Sequence, residues 1–150
     1  MGRLARAYEV GDELPPLIKE MTQEAINLFE GSGGDSEPSQ FTDEETARET
    51  LGTEGTVASG RMSLSFALEL LRRYFGSDVF NHTGTVDLRF LRPVRPGDTI
   101  TFTGSVAGVS REVNGSRVSV DIKVENQRGD TTGVGQGSAV VPNAYLPQDE

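Results

Sequence analysis

The strongest constraint on this chain is the order of its hydrophobic patterns: a helix pattern that is apolar nearly all round, followed only by strand patterns. Residues 61–76 carry Met62, Leu64, Phe66, Ala67, Leu68, Leu70, Leu71, Tyr74 and Phe75, which cover most of a helix circumference. A helix with so little polar face is expected to be enclosed by the rest of its domain. Gly76 is a suitable stop. Beyond it, Gly84-Thr85-Val86-Asp87-Leu88-Arg89-Phe90-Leu91 alternates polar and apolar residues as a half-buried strand does. Pro93-Val94-Arg95-Pro96-Gly97-Asp98 predicts a turn, and residues 99–106 the next strand. Asn114-Gly115 is a hairpin signal. After it Val118, Val120, Ile122 and Val124 alternate with Ser119, Asp121 and Lys123, and a last strand is expected over residues 131–141. The glycines of that strand point to bulges or close backbone approach. No further helix is expected after Gly76, so His82 falls at the start of a strand. Helices first and an antiparallel sheet afterwards is an α+β order, without the alternation of a parallel α/β fold.

Upstream, Thr22-Gln23-Glu24-Ala25-Ile26-Asn27-Leu28-Phe29 opens with an N-cap and carries acid early, as a helix start does. It is expected to stop at Gly31-Ser32-Gly33-Gly34, where glycine favours a turn. A loop follows, and Thr42-Asp43-Glu44-Glu45 forms a capping box that predicts a short helix to about Leu51. The 150 residues fit one domain, 1–150, with no internal repeat or dividing linker and a loose tail from about residue 143.

Composition narrows the chemistry. With no cysteine, disulfides, zinc-thiolate sites and thiol nucleophiles are excluded, and a single histidine excludes a multi-histidine metal site. A formal charge of -9 argues against nucleic acid, because phosphate binding needs a basic face. It leaves room for a small anion held by a local basic cluster. No stretch approaches the roughly 20 apolar residues of a membrane span. The first residues lack the apolar core of a signal peptide, so a cytoplasmic location is expected.

A buried helix wrapped by a long antiparallel sheet is the hot-dog fold, and four stretches make the similarity more specific. They are Ile26-Asn27-Leu28-Phe29 leading to Ser32-Gly33-Gly34-Asp35, then Thr42-Asp43-Glu44-Glu45-Thr46-Ala47-Arg48, then Val57-Ala58-Ser59-Gly60-Arg61-Met62, and finally Leu88-Arg89-Phe90-Leu91-Arg92-Pro93-Val94-Arg95-Pro96-Gly97-Asp98. In order and spacing they resemble the MaoC-like family of (R)-specific enoyl-CoA hydratases and acyl dehydratases. That resemblance implies a dimer, and hydration of trans-2-enoyl thioesters or the reverse reaction. It implies no metal or redox cofactor, coenzyme A or carrier-protein phosphopantetheine being part of the substrate.

In this family an aspartate and a histidine of one loop hold the water that adds across the double bond and handle the α-proton. A glycine N–H opening the buried helix polarises the thioester carbonyl. The resemblance carries the aspartate onto Asp35 and the N–H onto Gly60, at a positive helix end. It also exposes departures. Glu37 stands where asparagine is usual, and the histidine slot holds Gln40 or, counted back from Asp43, Phe41. Ser59 replaces a histidine common before the glycine. Locally Asp35 also fits a turn aspartate after two glycines; Glu37 is either solvated or the second member of a carboxylate pair; and Gln40 either holds the loop or positions water. Phe41, Ser59, Arg61, Met62, Arg89 and Arg92 are the candidate substrate contacts. Arg89, Arg92 and Arg95 suit the anionic arm of coenzyme A and equally a solvated strand edge. Met62, Phe66, Leu70 and Tyr74 read as core first and acyl-pocket lining second, and His82 as a surface or capping residue. Losing the histidine leaves two alternatives open: a hot-dog thioester hydrolase, or a non-catalytic acyl-binding subunit of a heterodimer.

Overall fold

The computed structural model describes residues 8–31 and 57–142. The loop expected to bear Asp35, Glu37, Gln40 and Phe41, the helix expected over residues 42–51 and the tail from residue 143 lie outside them. Five strands, β1 (Leu17–Met21), β2 (Thr85–Phe90), β3 (Asp98–Glu112), β4 (Gly115–Glu125) and β5 (Thr131–Pro142), form one sheet in the order β1-β3-β4-β5-β2. Every pairing is antiparallel. Three helices, α1 (Gln23–Gly31), α2 (Gly60–Phe75) and α3 (Ser77–Thr83), complete the described residues. This is the expected α+β hot-dog architecture, with α2 as the central helix.

Period-two alternation decides which face of the sheet meets α2. Ile100, Phe102 and Val106 of β3 and Val118, Val120, Ile122 and Val124 of β4 are buried, and polar residues alternate with them. From the helix side come Met62, Ala67, Leu70, Leu71, Tyr74 and Phe75. Leu64, Phe66 and Leu68 are half-buried and Arg72 and Arg73 exposed, so this chain encloses one broad face of α2 rather than its whole circumference. Phe66 meets Phe102 edge-on at 6.0 Å, a geometry favoured by the ring quadrupoles.

Glycine in the sheet admits the helix. A Cβ at Gly137 would stand 2.5 Å from a δ-carbon of Leu71, which is fully buried. The glycines of β5 therefore mark close approach, as expected, and a register shift between Val124 and Glu125 adds an irregularity beside them.

Three expectations need correction. A helix does follow Gly76: α3 buries Val79 and Phe80, with Phe80 stacked on Phe75 at 6.5 Å. Gly76 ends α2 at φ 89°, a left-handed conformation that lets the chain turn and begin a new helix at once. The seven residues of α3 are too few for a helical repeat to show in the sequence. His82 therefore lies on the last turn of α3, exposed, its Nδ1 donating to the Asp78 carbonyl at 2.8 Å. Second, the hairpin forms with Val113 and Asn114 as its loop residues, because Gly115 already pairs with Glu112. A side chain at Gly115 would collide with the Val141 carbonyl, so this glycine serves close packing of β4 on β5. Third, an edge strand, β1, precedes the helices. Leu17-Ile18-Lys19-Glu20-Met21 lacks clean alternation, and what holds it is pairing with β3 and burial of Leu17 and Met21.

Candidate active site

The N-terminus of α2 is fastened on two sides. Ser59 is its cap: extended backbone, with Oγ accepting from the Met62 N–H at 3.2 Å. The same hydroxyl donates to Glu30 Oε2 at 2.7 Å, and Arg61 donates to Glu30 Oε1 at 2.8 Å while lying over the Phe29 ring. Glu30 is the penultimate residue of α1, and its side chain is 10% exposed against 72% for Arg61. One mostly enclosed carboxylate thus ties the end of α1 to the start of α2. On the other side Ala58 N–H donates to the Val94 carbonyl at 2.7 Å, anchoring the helix entry to the segment that leaves β2.

Between these anchors lies a cavity of about 330 Å³ lined by residues of two segments, 58–63 and 90–94. Gly60 opens the helix there. Among the described residues its N–H has no hydrogen-bond partner, as befits one of the first four donors of a helix. The Phe90 ring lies against it; a Cβ at Gly60 would stand 2.8 Å from the ring edge. An unpaired N–H at the positive end of a 16-residue helix favours an oxygen that carries negative charge.

The cavity brings together Ser59, Gly60 and Arg92 of the expected residues, and with them Ser63 and Phe90. Met62 points into the core and is buried. Arg61 is held outside by Glu30. Arg89 lies on the opposite face of β2 from Phe90, in a polar depression with Asp87, Asp121 and Gln136. Arg95 sits on the turn before β3, its backbone N–H donating to Asp98 Oδ2 at 2.9 Å. Glu30 and Ser63 escaped the sequence reading. Nothing local marks Glu30, whose partners are 29 and 31 residues away. Ser63 had a readable signal: it is three residues from Gly60 and shares its helix face.

Comparison with known proteins places this geometry in a group. The family described as the MaoC-like domain matches residues 10–128. A 3-hydroxyacyl-thioester dehydratase of Mycobacterium tuberculosis is 32% identical over 111 residues, covering 70% of this chain and 72% of that protein. A solved structure from Archaeoglobus, described as a monoamine oxidase regulatory protein, superposes with a TM-score of 0.78 at 28% identity, over 94% of this chain and 95% of that one. An (R)-hydratase of Pseudomonas aeruginosa shares the fold, with a TM-score of 0.75 at 23% identity over 94% and 86%.

Proposed function

This chain belongs to the MaoC-like domain family, and from that premise we propose that it is a hydro-lyase, adding water to trans-2-enoyl thioesters or removing it from 3-hydroxyacyl thioesters. The observation that carries the reading is the Gly60 N–H at the head of α2, without a partner among the described residues, on a glycine that lines a cavity. In hydration the oxygen of water bonds to carbon 3, a proton goes to carbon 2, and the carbonyl oxygen carries the negative charge in between. A fixed donor at that oxygen strengthens as charge develops, which is how a preorganised N–H lowers a barrier. Asp35 is the acid/base, taking the water proton and returning one at carbon 2. Glu37 and Gln40 assist on the same loop, Phe41 and Ser59 border the acyl group, and Arg92 meets the anionic arm of the thioester. No metal or redox cofactor enters the proposal, and coenzyme A or phosphopantetheine arrives with the substrate.

Among the described residues no helix is long and apolar enough to cross a membrane. A cytoplasmic setting belongs to the proposal. So does a homodimer: β1 and β2 are sheet edges, and Phe90 and Leu91, 50% and 51% exposed, stand at the end of one of them. Pairing would cover both an unpaired edge and this apolar rim. Light scattering at micromolar concentration should give twice the chain mass; a stable monomer that still binds an acyl thioester would remove the dimer.

The reaction is tested by incubating the protein with short and medium trans-2-enoyl-CoA while following enoyl absorbance and free thiol together. Loss of absorbance without thiol is the expected result. Thiol release would move the protein to the thioester hydrolases, a chemistry the same N–H and a lone carboxylate would serve. Binding with neither reaction would make it the acyl-binding half of a heterodimer.

A further inference from the structure

Ser63 is the polar side chain of this cavity that the preceding mechanism leaves unused. It is 5% exposed, and it lines the cavity. A buried serine inside a helix ordinarily returns its hydroxyl to the carbonyl four residues back. Here that carbonyl, Ser59 O, already accepts from Met62 N–H at 3.1 Å and Ser63 N–H at 3.4 Å, and the Ser63 hydroxyl makes no hydrogen bond to it. The hydroxyl two residues on behaves differently: Ser65 Oγ donates to Met62 O at 2.7 Å. No side-chain nitrogen or oxygen sealed from solvent among the described residues lacks a partner, so the Ser63 hydroxyl reaches solvent, and the cavity is the space its residue lines. With the Ser59 carbonyl already used, the hydrogen bonds of that hydroxyl are left to water or to a ligand in the cavity.

The position of the hydroxyl says what could supply it. Ser63 is three residues beyond Gly60, about 4.5 Å along the helix axis, and i, i+3 residues share a face. In a 3-hydroxyacyl thioester the carbonyl oxygen and the oxygen on carbon 3 are also a few ångströms apart. We propose that Ser63 is a substrate-contacting residue that hydrogen-bonds the oxygen on carbon 3 while the Gly60 N–H holds the carbonyl oxygen. This rests on the hydro-lyase reading above and deepens it. The hydroxyl both accepts and donates, so it can hold the water that will add, and equally the 3-hydroxyl that will leave. It is too weak an acid or base to move the proton itself and acts by placing that oxygen.

The contrast between two ligands tests this without relying on turnover. Affinities of the unmodified protein and of Ser63→Ala are measured for a 3-hydroxyacyl-CoA and for the saturated acyl-CoA of the same chain length, which lacks the oxygen. The substitution should weaken the 3-hydroxyacyl ligand by about three- to tenfold, the range of one neutral hydrogen bond, and leave the saturated ligand unchanged. Ser63→Thr, which keeps the hydroxyl, should recover most of the difference. Thermal stability of Ser63→Ala should be equal or higher, because alanine is the better helix former and no hydrogen bond of the protein is lost. Equal weakening of both ligands, or no weakening of either, would overturn the role of Ser63. Failure of the unmodified protein to bind either acyl-CoA would instead remove the hydro-lyase reading on which it rests.

Discussion

Replacing Asp35 by asparagine is expected to lower enoyl-CoA hydration by at least about 100-fold while leaving fold and acyl-CoA binding in place. Positioned acid/base groups contribute about 100- to 10,000-fold, and the family resemblance puts Gln40 or Phe41, neither of which can shuttle a proton, where a histidine would share the work. On the proposed assignment the carboxylate of Asp35 carries most of the proton transfer, and the full loss should appear in kcat. Asparagine is the informative substitution because it keeps the size of the side chain and its capacity to form a turn. A turn role alone would let Asp35→Asn keep its activity. Glu37→Gln separates the second question: a small loss makes Glu37 solvated, a loss close to that of Asp35→Asn makes the two carboxylates a working pair. Hydration that survives Asp35→Asn would take Asp35 out of the mechanism.

The second large effect is on stability, where α2 meets β5. Leu71 is fully buried and reaches over Gly137, where a Cβ would come 2.5 Å from it and 3.2 Å from the Thr85 carbonyl. Leu71→Ala deletes three buried carbons and leaves a cavity, which should cost about 2–5 kcal/mol. Gly137→Ala pushes a methyl into filled space and should cost about 1–3 kcal/mol by overpacking. In the double variant the new methyl occupies part of the volume the leucine vacated. Its urea-unfolding free energy should therefore exceed the value expected from simple addition by about 0.5–3 kcal/mol. Strict additivity would mean that the two residues do not share that space. The site is the reason to care about this contact: α2 carries Gly60 and Ser63 at its other end, and β5 pairs with the β2 strand that ends in Phe90.

Most of the sheet and its central helix are legible in the sequence, because there one physical rule acts along the chain. Alternation at Val118, Val120, Ile122 and Val124 needs only the pleat to say which face is buried. The apolar run from Met62 to Phe75 needs only the helical period. The stop at Gly76 is local chemistry, and Gly60 as the head of the buried helix followed from its match to a family pattern. Tertiary structure decided what depends on partners far away in the chain. β1 is a strand because β3 offers it an edge, and α3 is a helix because Val79 and Phe80 find a hydrophobic floor. Glu30 enters the site because folding brings α1 against Ser59 and Arg61, a pairing no spacing encodes. Arg89 and Phe90, neighbours in the most specific motif, are sent to opposite faces of β2 by the pleat, so only Phe90 joins the cavity. Ser63 acquires its meaning last, because a serine in a helix is ordinary until the carbonyl it would bond is taken and the space before it is a cavity.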